Sequence, residues 1–209
     1  MRLYFPLIMS NVIYRLLLMY FILTLDQVYE DVMDSFMPPS RRTGSHESDS
    51  YCKSNKSAVC GSSKLTQDHL NNLKSCQTLE DLANCMNPGR DRFFKLNIQN
   101  VSFGSKPTLE FRQHSATSNS EKVTMWVRFC IWFVHNSRHS TPRVIRAPLH
   151  KQFESLFQDV IKDRYLQKFY RKRQNDISRE IRKKSDEPCC SGCTTGSGCN
   201  AQSKRLRQR

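Results

Sequence analysis

Four of the nine cysteines of this 209-residue chain fall within eleven residues near its end, Cys189, Cys190, Cys193 and Cys199. The residues between them are Ser, Thr and Gly. Such a stretch has no apolar side chains with which to build a core, so sulfur chemistry must shape it, through disulfides or through a metal. The Cys190-x2-Cys193 spacing suits a zinc knuckle. Adjacent cysteines rarely both reach one tetrahedral ion, however, and no second CxxC pair exists. The sequence therefore assigns no metal ligands and no cofactor.

The redox compartment decides between these chemistries. Leu16–Leu25 is an apolar run preceded by Arg15 and ended by Asp26, the pattern of a secretory signal or a signal anchor. It is short for a spanning helix, which needs about 20 apolar residues. Export would place the thiols in an oxidising environment. It would also make glycosylation acceptors of Asn55 (Asn55-Lys56-Ser57) and Asn100 (Asn100-Val101-Ser102). The expected location is secreted and extracellular.

Five regions follow from composition. Residues 1–25 are the signal or anchor, and 26–50, with Pro38-Pro39 and a Ser-rich run, are a disordered linker. Residues 51–92 hold Cys52, Cys60, Cys76 and Cys85. Within them Leu65, Leu70, Leu73, Cys76, Leu79 and Leu82 mark one face of a helix that Thr66 can cap. Residues 93–173 form a connecting α+β segment. Phe94, Leu96 and Ile98, then Leu109 and Phe111, alternate like strands of a small antiparallel sheet. The run Val123 to Phe133 is apolar on both faces and predicts a buried strand containing Cys130. From Pro148, the stripe Leu149, Phe153, Leu156, Phe157, Val160, Ile161, Tyr165 and Phe169 predicts an amphipathic helix. Residues 174–209 are the basic, Cys-rich tail. The fold expected is a small, disulfide-rich, mixed α+β secreted protein.

The net charge is +14, and residues Arg143 to Lys184 contribute +8 of it. Two basic clusters, Arg171-Lys172-Arg173 and Arg182-Lys183-Lys184, have the character of proprotein convertase sites in a secreted chain. The charge would also serve a polyanion, but nucleic acid is not assigned as a partner. No catalytic constellation emerges: there is no glycine-rich phosphate loop and no G-x-S-x-G. His135 and His139 lack the Glu of a zinc-protease helix. Catalytic residues and a small-molecule substrate are therefore not expected.

A vicinal Cys pair with two more cysteines after it, an upstream Cys-bearing helix and basic sites between resemble the layout of an insulin/relaxin-type hormone precursor. The resemblance implies that Cys189 pairs with Cys193, while Cys190 and Cys199 reach the upstream segment. There either Cys60 with Cys76, or Cys76 with Cys85, stands for the B-chain pair, and Cys52 joins an extra bridge. It further implies cleavage at Arg171, Lys172, Arg173, Lys183 and Lys184 and a cell-surface receptor as partner. The alternative expectation is a secreted or membrane-anchored α+β interaction glycoprotein without catalytic activity.

Overall fold

The computed structural model of the chain describes residues 2–3, 12–61, 64–103 and 108–186. Two compact units divide it, residues 1–177 and 178–209. The described residues of the second unit, 178–186, are helical.

The first unit is built around one long helix, α1 (Val12–Ser35). Met19, Ile22, Leu23, Val28, Val32 and Met33 are all buried along it, as is Phe36 just after its end. A helix apolar on nearly every side has to sit inside the protein. The apolar run Leu16–Leu25 lies in the first half of this helix, and residues 26–35, expected as linker, continue it. Arg42 closes its end by donating from Nε to the Met37 carbonyl at 2.9 Å and from Nη2 to the Ser35 carbonyl at 3.3 Å. Among the described residues, no helix is long and apolar enough to cross a membrane.

Four short helices follow: α2 (His46–Tyr51), α3 (Asn55–Cys60), α4 (Gln67–Ser75) and α5 (Leu79–Met86). The single helix expected over the Leu face is two, because Thr78 starts a new one. Its hydroxyl accepts from the Asp81 N–H at 3.0 Å, and Asp81 reaches back to the Thr78 N–H at 2.8 Å. Thr66 caps α4 as its sequence position suggests, with His69 completing the box.

The sheet is small and antiparallel, in the order β1 (Arg2–Leu3), β3 (Leu109–Phe111), β2 (Leu96–Asn97). Leu96 lies opposite Phe111, and Asn97 opposite Glu110. Between β2 and β3 comes the one-turn helix α6 (Gln99–Ser102).

The expected strand through Val123 to Phe133 is instead α7 (Ser120–Ser137). Period-two and helical readings compete there, and burial decides for the helix. Met125, Trp126, Phe129, Cys130, Phe133 and Val134 are buried, a helical stripe, while Ile131 and Trp132 face outward. Asn119 caps the start, accepting from the Lys122 N–H at 2.9 Å. Downstream, α8 (Leu149–Ser155) passes into a π-turn over Leu156–Ile161 and then α9 (Arg164–Asp186). The Leu149-to-Phe169 stripe is therefore helical but broken, with Lys162 left-handed at the break.

The aromatic side chains meet at Phe36. Its ring lies 4.5 Å from Tyr170, 5.8 Å from Phe129 and 6.3 Å from Phe153. Trp126 stacks on Phe129 at 5.4 Å. This core corrects the expectation of a small disulfide-rich α+β protein. The fold is mostly helical with a minimal sheet, and apolar burial holds it together. Cys52 and Cys130 are buried thiols, and the sulfurs of Cys76 and Cys85 stand 4.0 Å apart, beyond a covalent bond. The Cys189, Cys190, Cys193 and Cys199 cluster lies outside the described residues.

Replacing Phe36 by Ala empties the centre of the aromatic cluster and is expected to destabilise the protein by about 3–5 kcal/mol. A urea midpoint unchanged from wild type would contradict that central role.

Candidate functional site

Three acidic residues, Asp26, Glu30 and Asp34, recur every four positions along α1, and all three are buried. The residue that answers them is Lys95, fully buried just before β2. Its Nζ donates to Glu30 Oε1 at 3.0 Å, to Asp34 Oδ1 at 2.7 Å and Oδ2 at 2.6 Å, and to Thr43 Oγ1 at 2.6 Å. Burial alone pushes the ammonium pKa down, but Glu30 and Asp34 outweigh it and hold Lys95 above its ordinary value. Glu30 also accepts from the Lys56 N–H at 2.8 Å, in the first turn of α3. Asp26 has no hydrogen-bond partner on either carboxylate oxygen among the described residues. Burial first, then repulsion from Glu30 and Asp34, raises its pKa well above the usual carboxylate range; Lys95 opposes this without prevailing.

From this buried base the chain runs into β2 and β3. The Leu96 carbonyl accepts from Asn55 and Asn87 amides, each at 3.0 Å. Asn55 Oδ1 in turn accepts from the Leu96 N–H at 2.7 Å, and Asn87 Oδ1 from the Ile98 N–H at 2.9 Å. Two side-chain amides thus replace the neighbouring strand that β2 lacks on that edge.

Asn97, Glu110 and Arg112 form one hydrogen-bonded group on this edge, and His114 follows two residues later, against Trp126. Glu110 accepts from Asn97 Nδ2 at 3.1 Å and from Arg112 Nη1 at 2.8 Å, so its carboxylate is fixed on both oxygens. The Arg112 N–H donates to the Lys95 carbonyl at 2.7 Å, which joins this edge to the buried cluster. Arg112 remains partly exposed, 21% of its side chain. His114 lies 2.7 Å from the Ser115 carbonyl through Nδ1. A carbonyl can only accept, so the proton sits on Nδ1 and Nε2 carries the free lone pair. Burial lowers the His114 pKa, with Arg173 and Lys122 adding to the effect and the Ser115 bond opposing it. The ring is therefore neutral at physiological pH, beside Trp126 at 5.5 Å. The fixed carboxylate and partly open guanidinium can hold an anion, and the neutral imidazole beside Trp126 can take up a proton.

The residues singled out from sequence lie elsewhere. Asn55 is buried, and its amide serves the Met86 and Leu96 carbonyls at 3.0 Å each. Asn100 donates to Thr108 Oγ1 at 3.0 Å. Arg171, Lys172, Arg173, Lys183 and Lys184 are all in α9, where Arg171 pairs with Glu154 and Arg173 Nε donates to the Phe36 carbonyl at 2.8 Å. Cys52 borders the site, its thiol 3.7 Å from the Arg112 carbonyl. Cys60 ends α3, and Cys76 and Cys85 lie at the ends of α4 and α5. Sequence reading missed the site itself. The available signal was the alternation Glu110-Phe111-Arg112-Gln113-His114 directly behind an apolar strand position.

A family model described as "Putative amidoligase enzyme" matches residues 28–134, just over half of the chain. No curated protein and no solved structure matches. The matched segment contains Glu30, Asp34, Lys95, Asn97, Glu110, Arg112 and His114. It overturns the insulin/relaxin resemblance, which rested on Cys spacing alone, and with it the hormone activity and the receptor and convertase as partners. It also overturns the alternative of a non-catalytic interaction glycoprotein, since the family is described as one of enzymes.

Two outcomes test the buried cluster. Lys95→Met leaves Glu30 and Asp34 without their cation and is expected to destabilise by about 3–5 kcal/mol in urea titrations; a loss below 1 kcal/mol would show that the carboxylates do not depend on it. Asp26 binds its proton more tightly folded than unfolded, so its contribution falls as pH rises from its ordinary 3.8 toward the raised value. Asp26→Asn removes this loss. The variant should gain on wild type in urea midpoint between pH 4 and pH 7, and a pH-independent difference would refute the assignment.

Proposed function

The chain belongs to the amidoligase family, and on that premise we propose that it joins a carboxylate to an amine through an amide bond at the edge formed by Asn97, Glu110, Arg112 and His114. A carboxylate is a poor electrophile, and a protonated amine is no nucleophile. The reaction therefore needs its carboxylate held and activated, and its amine deprotonated. Arg112 supplies the first requirement: Glu110 and Tyr51 engage Nη1 and Nε and leave donors to spare for a carboxylate. Activation requires a phosphoryl donor as co-substrate, which carries off the carboxylate oxygen as phosphate when the amine adds. His114 Nε2 supplies the second requirement, accepting the proton that the amine loses as the C–N bond forms. Glu110, clamped between Asn97 and Arg112, positions the guanidinium. Lys95 and its carboxylates anchor the strand from below and do not contact the substrate.

The observation that carries this reading is the His114 Nδ1–H bond to the Ser115 carbonyl, which leaves a neutral base within two residues of a partly open arginine. The assay is phosphate release from ATP in the presence of paired carboxylate and amine panels. Release should require both reactants. His114→Ala is expected to lower kcat/KM by about 10²–10⁴-fold, and Arg112→Ala to raise the KM for the carboxylate. The acid limb of the wild-type pH profile should lie below pH 6.5, the ordinary histidine value, and be lost in His114→Ala. Turnover that is insensitive to both substitutions would place the chemistry elsewhere.

A further inference from the structure

A second concave site lies outside the proposed ligase edge and largely outside the family-matched segment. It is a half-open cleft of about 550 Å³ between α1, the segment 139–145 and the π-turn after α8. Its floor is a hydrogen-bonded chain of three side chains. Ser155 Oγ donates to Asp159 Oδ2 at 2.6 Å, because a carboxylate only accepts. The single hydroxyl proton of Ser155 is thereby used, so the 2.9 Å contact with Tyr29 is a donation from Tyr29 to Ser155. Tyr29 is buried and fixed at this inner end. Asp159 Oδ1 has no hydrogen-bond partner among the described residues.

Two cations stand at the rim: Arg143 and Lys162 line the cleft beside His139, and neither makes an ion pair among the described residues. The hydrocarbon wall comes from Leu25, Val28 and Ile145. The backbone is held in an unusual form on the same side. The π-turn Leu156–Ile161 ends at Lys162 with φ 57°. Asn136 Nδ2 secures that turn from α7, donating to the Val160 carbonyl at 2.7 Å and to the Ile161 carbonyl at 3.3 Å. Irregular helical turns and left-handed residues of this kind are kept where the surroundings enforce them, and they concentrate at binding sites.

We propose that this cleft binds a small zwitterionic molecule of the amino-acid class, a single amino acid or a dipeptide. Its carboxylate lies on Arg143 and Lys162, its ammonium on the open oxygen of Asp159, and its aliphatic side chain on Leu25, Val28 and Ile145. A free phosphate fits less well, since Asp159 repels it and the apolar wall is left uncovered. A plain amine meets the rim cations and fails for the converse reason. The inference does not rest on the ligase chemistry, since the cleft shares none of the residues Asn97, Glu110, Arg112 or His114.

Isothermal titration of the full chain with L-leucine, glycyl-L-leucine, 4-methylpentanoate, 3-methylbutylamine and inorganic phosphate separates the possibilities. L-leucine or glycyl-L-leucine is expected to bind at least tenfold more tightly than either half-molecule or phosphate. Arg143, Asp159 and Lys162 are exposed, so their variants should keep the fold. Asp159→Asn should weaken the zwitterion tenfold or more and leave 4-methylpentanoate unchanged. Arg143→Ala should weaken both. Lys162→Asn, which tolerates the left-handed backbone, should act like Arg143→Ala. Tighter binding of phosphate or of 4-methylpentanoate than of L-leucine overturns the proposal, as does silence from all five probes. Zwitterion binding unchanged in Asp159→Asn and Arg143→Ala would locate it at another site and overturn the proposal equally.

Discussion

Lys95 is the side chain on which the rest of the first unit depends. A buried ammonium is costly to desolvate, and only close, well-satisfied counter-charges make it tolerable. Here two carboxylates and a hydroxyl lie within 3.0 Å. The arithmetic of charge then reaches further: one cation faces Glu30 and Asp34, so a third ionised carboxylate on the same helix face would leave the cluster strongly negative in a dry environment. Burial and these neighbouring carboxylates accordingly push the Asp26 pKa up, which favours its protonated form. The cluster therefore ties together α1, the Thr43 segment, the start of α3 and the approach to β2, elements far apart in sequence. Replacing such a cluster by apolar side chains is often neutral or stabilising in other proteins. What it adds here is position, since only one placement of β2 against α1 pairs every charge.

Position matters because the sheet is too small to specify itself. Strands of two or three residues make few ladder bonds, and β2 has a free edge. Asn55 and Asn87 complete that edge with amide groups, which offer the same donor and acceptor as a peptide. The sheet is thus anchored on one side by side-chain amides and below by ions. The aromatic cluster packs against its apolar side, where Phe111 meets Trp126 at 6.3 Å and Phe133 at 6.2 Å.

Against this frame, what could be read from the sequence follows a physical pattern. Local signals held. Thr66 caps α4, the alternation through Leu109 and Phe111 is a strand, and the stripe beginning at Leu149 is helical. Signals that depend on a distant partner did not. Leu16–Leu25 has the composition of a targeting segment, and its burial inside the fold, with Leu16 and Tyr20 beside Leu73 and Leu82, is not visible in its own pattern. The run from Val123 to Phe133 is apolar at both periods, so its own pattern gave no means of choosing. Nor does anything near Lys95 in the sequence distinguish it from a surface lysine, because its partners lie more than fifty residues away. The cysteines drew attention because they are numerous. In the described fold, Cys52 and Cys130 are buried as small apolar residues are.

The period-two alternation that made β3 legible also builds the proposed catalytic edge. Leu109 and Phe111 enter the core, and Glu110 and Arg112, one step out of phase, pair with each other while Glu110 also accepts from Asn97. A slip of one residue would exchange the two sets, driving a carboxylate and a guanidinium into the aromatic cluster and withdrawing Phe111 from Trp126. Few strands this short resist such a slip alone. The fixed register comes from the Lys95 ions and the asparagine amides, and it sets which way Arg112 faces. The stability of the buried cluster and the geometry of the proposed ligase edge are therefore one property: whatever loosens Lys95 from Glu30 and Asp34 also releases the strand that presents Arg112.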